Sequence, residues 1–120
     1  METEVISLRV PARPEYARTV RMMASNLAVV CGMNVDDVED VRMAAEEGFV
    51  YACATQTDSC DIAFTLEPNS VGMQFALGCE ECAEDADLQY AKLLLAAVCD
   101  TFEIDEDASV LRLHIKAIEA

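Results

Sequence analysis

The stretch VDDVEDVRMAAEEGFVYACATQ, from Val35 to Gln56, decides the reading of this chain. Val38, Val41, Ala45, Phe49 and Ala52 recur at helical spacing and form one apolar stripe. Asn34 stands where an N-cap is expected, and Asp36, Asp37, Glu39 and Asp40 crowd the first turns, where the helix dipole favours anions. The segment is therefore expected to be an amphipathic helix with an acidic start.

Working outward, Ile6, Leu8 and Val10 alternate with Ser7 and Arg9 in a strand that has one wet side. Pro11 and Pro14 end it. From Glu15 to Cys31 the residues Tyr16, Val20, Met23, Leu27 and Val30 predict a first helix, closed by Gly32 as a left-handed cap. After Thr57 and Asp58, two alternating runs, Cys60 to Glu67 and Val71 to Gly78, are joined across Pro68, Asn69 and Ser70 as a hairpin. A third helix from Asp85 to Val98 is apolar over most of its surface, which predicts deep burial. The last strands run from Thr101 to Ile104 and from Ser109 to Ile118, with Leu111, Leu113 and Ile115 inward and Arg112, His114 and Lys116 outward. The order predicts a two-layer α/β sandwich, a mixed five-stranded sheet with three helices on one face and the other face open.

Composition narrows the function classes. The 120 residues make one domain, and 53% hydrophobic content is enough for a core without staples. METEVISLRV begins with acids and then alternates, unlike a signal peptide, and no apolar run is long enough to span a bilayer. A cytoplasmic protein without membrane partners is expected. The net charge of −15, with Lys92 and Lys116 the only lysines, excludes nucleic acid as a partner and fits a basic protein partner or a well-solvated surface. Of six cysteines, Cys31, Cys53 and Cys99 fall in apolar helical patterns and read as reduced core thiols. Cys79 and Cys82 form C-E-E-C, half of a zinc or redox site, but no second C-x-x-C exists and the only histidine, His114, reads as a surface residue on a strand.

The helix around Val35 to Gln56 resembles the nucleotide-binding helix of the anti-sigma-factor serine kinases of the RsbW and SpoIIAB type, members of the histidine-kinase-like ATPase (Bergerat) fold. Their pattern D-[LI]-x-x-A-x-x-E-x-x-x-N-A is matched by Asp40, Val41, Ala44, Glu47 and Ala52, with Tyr51 at the metal-binding asparagine. The P-A-x-P-E-Y lead-in from Pro11 to Tyr16 and the tail from Leu93 to Ala120 are also similar to the family, so the resemblance covers almost the whole chain. It implies a shortened Bergerat domain.

The resemblance also implies what has been lost. Glu47 occupies the place of the acid that activates the nucleophile. An asparagine carbonyl is a hard ligand for Mg²⁺, and the phenol of Tyr51 is a poor replacement. FALGCEECAED, from Phe75 to Asp85, holds no D-x-G-x-G, and Leu88, Gln89 and Ala91 fill the places of the phosphate-binding glycines. The connection from Gly78 to Leu88 is short for a lid. With four elements missing, no ATP or Mg²⁺ cofactor is expected, Glu47 reads as vestigial, and Tyr51 is expected to fill a collapsed pocket.

What the family implies beyond chemistry is a regulatory binding module in partner-switching control of transcription, holding a sigma factor or an anti-anti-sigma protein, commonly as a homodimer. Candidate partner surfaces are the acidic set Asp36, Asp37, Glu39 and Asp40, and the open sheet face with Arg9, Arg112 and Lys116. The competing expectations are a divergent ATP-binding serine/threonine kinase, and a thiol or zinc protein built on Cys79 and Cys82.

Overall fold

A computed structural model of the chain describes residues 3–55, 57–79 and 82–117. The elements are β1 (Glu4–Pro11), a 3-10 turn (Pro14–Tyr16), α1 (Ala17–Val30), α2 (Val35–Ala54), β2 (Ser59–Glu67), β3 (Ser70–Ala76), α3 (Asp85–Val98), β4 (Thr101–Asp105) and β5 (Val110–Lys116). The five strands form one sheet in the order β1-β2-β3-β5-β4. Ile118, the expected end of the last strand, lies outside the described residues.

Local chemistry accounts for the helix boundaries. Gly32 adopts φ +85°, which ends α1 in a left-handed turn. Two residues later the Asn34 side chain accepts a 2.9 Å hydrogen bond from the Asp37 N–H, capping α2. Pro14 stands at the start of the 3-10 turn that leads into α1, so the regular helix begins at Ala17 and not at Glu15. The buried face of α1 is Ala17, Val20, Ala24, Leu27 and Ala28, whereas Val30, expected in that stripe, is exposed as the helix ends.

Inward residues of the sheet are Ile62, Phe64 and Leu66 on β2, Val71, Met73 and Phe75 on β3, and Leu111, Leu113 and Ile115 on β5, all buried. They meet Val41, Ala44, Ala45, Phe49 and Ala52 of α2 in one continuous core. Strand polarity thus sets the two layers, because alternate side chains leave the sheet on opposite sides.

Two expectations need correction. The sheet is antiparallel in every pairing, not mixed. The crossover through α3 does make β4 run in the same direction as β3, but β5 inserts between them and runs the opposite way, so no parallel neighbours arise. Nor is α3 deeply buried: within it only Ala91 and Leu95 are buried, Leu88 and Val98 pack partly buried against the core, and Tyr90 and Leu93 are exposed. α3 sits at the margin of the helix layer, packed on α2 and touching the edge strand β4, so a single stripe of its surface is covered.

Candidate functional site

Glu47 and Tyr51 lie one turn apart on α2, facing the start of α3. Together with Val50, Ala54, Asp87 and Tyr90 they line a cleft of about 130 Å³, smaller than the roughly 300–1,000 Å³ of typical small-molecule pockets. Tyr51 is 3% exposed, so its ring is part of the packing between α2 and its neighbours. Glu47 is half-buried. Burial raises its carboxyl above the ordinary value, and the negative charges of Glu46 and Asp87 add to the shift.

Of the residues at the expected glycine-turn positions, Ala91 is buried, Leu88 is partly covered and Gln89 is exposed. None of the three lines the Glu47 cleft. The connection out of β3 is fastened to the end of α2 by a junction that the sequence did not announce. The buried Thr55 hydroxyl donates to the Ala52 carbonyl and accepts from the Gly78 N–H at 2.8 Å. The Thr55 carbonyl accepts from the Cys79 N–H at 2.7 Å. A Cβ on Gly78 would come within 2.7 Å of that carbonyl, so the close approach requires glycine there. The glycine after an alternating strand was the available signal; its threonine partner, 23 residues earlier, was not legible.

No family model matches the chain. It is 26% identical over 103 residues to the serine-protein kinase RsbW of Bacillus licheniformis, covering 86% of this chain and 55% of that protein. To RsbW of Halalkalibacterium halodurans it is 34% identical over 76 residues, 63% of this chain and 42% of the relative. To RsbW of Bacillus velezensis it is 41% identical over 54 residues, 43% of this chain and 34% of the relative. The solved structure of the RsbU and RsbW domains of a Mycobacterium tuberculosis protein superposes on 95% of this chain and 31% of its own, with a TM-score of 0.69 at 16% identity. The chain is RsbW-like. It spans between about a third and about half the length of the curated relatives it matches.

In this RsbW-like chain the acidic start of α2 is partly neutralised from within. Glu39 pairs with Arg42 one turn on, and burial raises the carboxyl of Asp40, with Asp37, Asp36, Asp100 and Glu39 adding repulsion. On the open sheet face the cations are also paired. Arg9 holds Asp61 at 2.6 Å, and Arg112 holds Glu103 at 3.1 Å and Asp105 at 2.9 Å. The Arg9 hydrogen bond lowers the Asp61 carboxyl below its ordinary range, as Arg112 does for Asp105. Lys116 is exposed at the end of β5, its N–H bonded to the Asp100 carboxylate. Two larger grooves, about 410 and 370 Å³, lie on this face, one over Gly72, Gln74 and Arg112 and the other over Ser7, Arg9 and Asp61. Both are shallow furrows of the sheet surface, away from Glu47.

Cys79 and Cys82 are exposed, with the Cys82 N–H donating to the Cys79 carbonyl at 3.1 Å. Glu80 and Glu81 between them lie outside the described residues. Among the described residues no three metal-capable side chains gather. Burial pushes Cys53 up to about 11 and Cys60 and Cys99 up to about 12, so these three behave as core thiols. No helix among the described residues is long and apolar enough to cross a membrane.

The raised Glu47 carboxyl makes a testable difference. An acid whose folded-state value lies above its unfolded one holds its proton more tightly when folded, so ionising it at neutral pH costs stability. Glu47→Gln removes that cost. The melting temperature of Glu47→Gln should exceed that of the parent at pH 7, and the gain should disappear as pH falls through the folded value towards the ordinary 4.5. Equal gains at pH 7 and below pH 4 would show that charge is not the cause.

Proposed function

We propose that the chain is a non-catalytic regulatory module of the RsbW type, which binds a protein partner and has given up nucleotide chemistry. The observation that carries this reading is Tyr51. It occupies the metal-ligand position of the matched helix pattern and is packed at the wall of a cleft too small for a nucleotide. The acids Glu47 and Asp87 that line that cleft add repulsion against a triphosphate with no Mg²⁺ ligand to offset it. By resemblance, the partner is a sigma factor or an anti-anti-sigma protein and two copies associate; the open sheet face bearing Arg9, Arg112 and Lys116 is the candidate surface for that self-association. The switch is then supplied by something other than the chain's own phosphoryl transfer.

Thermal unfolding with Mg-ATP tests this directly. A functional site at a hundred times its dissociation constant adds about 2.7 kcal/mol of stability; the expected result is no shift. A second reading, a divergent serine kinase, is favoured by one observation: Glu47 keeps both its place in the cleft and a raised carboxyl, as an acid that accepts a proton would. That reading requires a Mg-ATP shift in the parent that vanishes in Glu47→Ala.

A further inference from the structure

The sequence DADLQYAKLLLAAV of α3 is apolar over most of its surface, with Asp85, Asp87, Gln89 and Lys92 its polar residues. A helix of that kind belongs in an interior. Yet Tyr90 is 58% exposed and Leu93 75%, and they stand with Ala97 at positions i, i+3 and i+7, one outward stripe of the helix. Val50 of α2, also exposed, lines the same cleft as Tyr90, so the apolar surface continues from α3 onto α2. Lys92 is the only base in α3.

The charges around this stripe say what covers it. At one end stand Asp85 and Asp87, the latter close enough to Glu47 to raise its carboxyl. At the other end stands Asp100, which acts on Asp40 at the acidic start of α2 across the antiparallel α2–α3 junction. Both ends are negative. A second copy laid on the stripe would bring acids against acids in either direction, parallel or antiparallel. A helix with an apolar stripe and Lys or Arg at both ends meets complementary charge at both ends.

We propose that the outer face of α3, centred on Tyr90 and Leu93, is the docking surface for a basic amphipathic helix of the partner protein. This rests on the reading of the chain as a protein-binding module and adds to it the place and the chemistry of contact. The apolar stripe supplies affinity by leaving water, and the acids at its ends align the partner helix along the stripe and exclude acidic helices.

The test is calorimetric titration of the full chain with a synthetic peptide of about 18 residues, five helical turns. It carries Leu at i, i+3, i+4 and i+7 and Arg at both ends; a scrambled peptide of the same composition and a version with Glu for Arg serve as controls. The basic amphipathic peptide should bind and the two controls should not. Leu93→Ser, at a position too exposed to carry the fold, should weaken binding at least about tenfold. Equal binding of the scrambled peptide overturns the proposal, because charge alone would then explain it. An unchanged affinity in Leu93→Ser overturns it as well, and so does a dimer in sedimentation velocity that Leu93→Ser dissociates, since a second copy would then cover the stripe. Adding Mg-ATP to the same samples separates the two readings. A thermal shift with peptide binding retained overturns the nucleotide-free reading and supports this surface, whereas absence of both shift and binding overturns this surface alone.

Discussion

Truncation of Phe75 to alanine is expected to lower the unfolding free energy by about 3–5 kcal/mol. Phe75 has no exposed surface and lies on β3 between Ile62 of β2 and Leu111 of β5, both buried. Its ring reaches up against Gly48 of α2, and so fills the space between the layers. The strands on either side are held by continuous ladders, which limits how far the walls can close over a cavity. Urea unfolding measures the loss through the midpoint at an unchanged slope. A cost under about 1 kcal/mol would mean that the site collapses freely and that the ring is not what spaces the layers.

The second large effect comes from the opposite change at the same contact. Gly48 sits in the middle of α2, where alanine would ordinarily gain up to about 1 kcal/mol of helix propensity. A Cβ there would lie 2.7 and 2.9 Å from two ring carbons of Phe75, closer than real contacts allow. The ring is enclosed and cannot swing away, so α2 must lift or the ring must leave its rotamer, at a cost of about 1–3 kcal/mol. Repulsion outweighs propensity, and Gly48→Ala should destabilise by about 1 kcal/mol net, where propensity alone would have stabilised. The double variant Gly48→Ala/Phe75→Ala should cost clearly less than the two single losses added, because the new methyl enters the space that the ring vacated. Additive losses would disprove the contact. Because Gly48 adjoins Glu47, the same series reports whether the cleft follows the position of α2.

What was legible in the sequence were the features carried by local chemistry. Asn34 and Gly32 mark the gap between α1 and α2 because capping depends on one side chain and one backbone angle. The two faces of the sheet could be read from alternation alone, since Ile62, Phe64 and Leu66 cannot all face water. The antiparallel arrangement could not, because it depends on β5 entering between β3 and β4, and nothing local to those strands encodes that choice. The exposure of α3 was illegible for a related reason: periodicity reports how apolar a helix is, not how many neighbours it has. At the site, the pattern brought Glu47 and Tyr51 into one cleft, whereas Leu88, Gln89 and Ala91 lie outside its lining. The Thr55–Gly78 junction joins residues far apart in the chain, and a hydroxyl's partner is fixed only by the fold.

The sheet order also dictates a sequence of assembly. β2–β3 and β4–β5 are hairpins whose strands adjoin in the chain, but β1 reaches β2 only after both α1 and α2 have been traversed, with Pro11 coming to rest beside Ser59. Closing that long loop is the most entropically demanding pairing at the β1 edge, and β1 repays it with little burial, Val10 being its one fully covered residue. Formation should therefore end with this strand, and backbone amide exchange should find it the first to peel away.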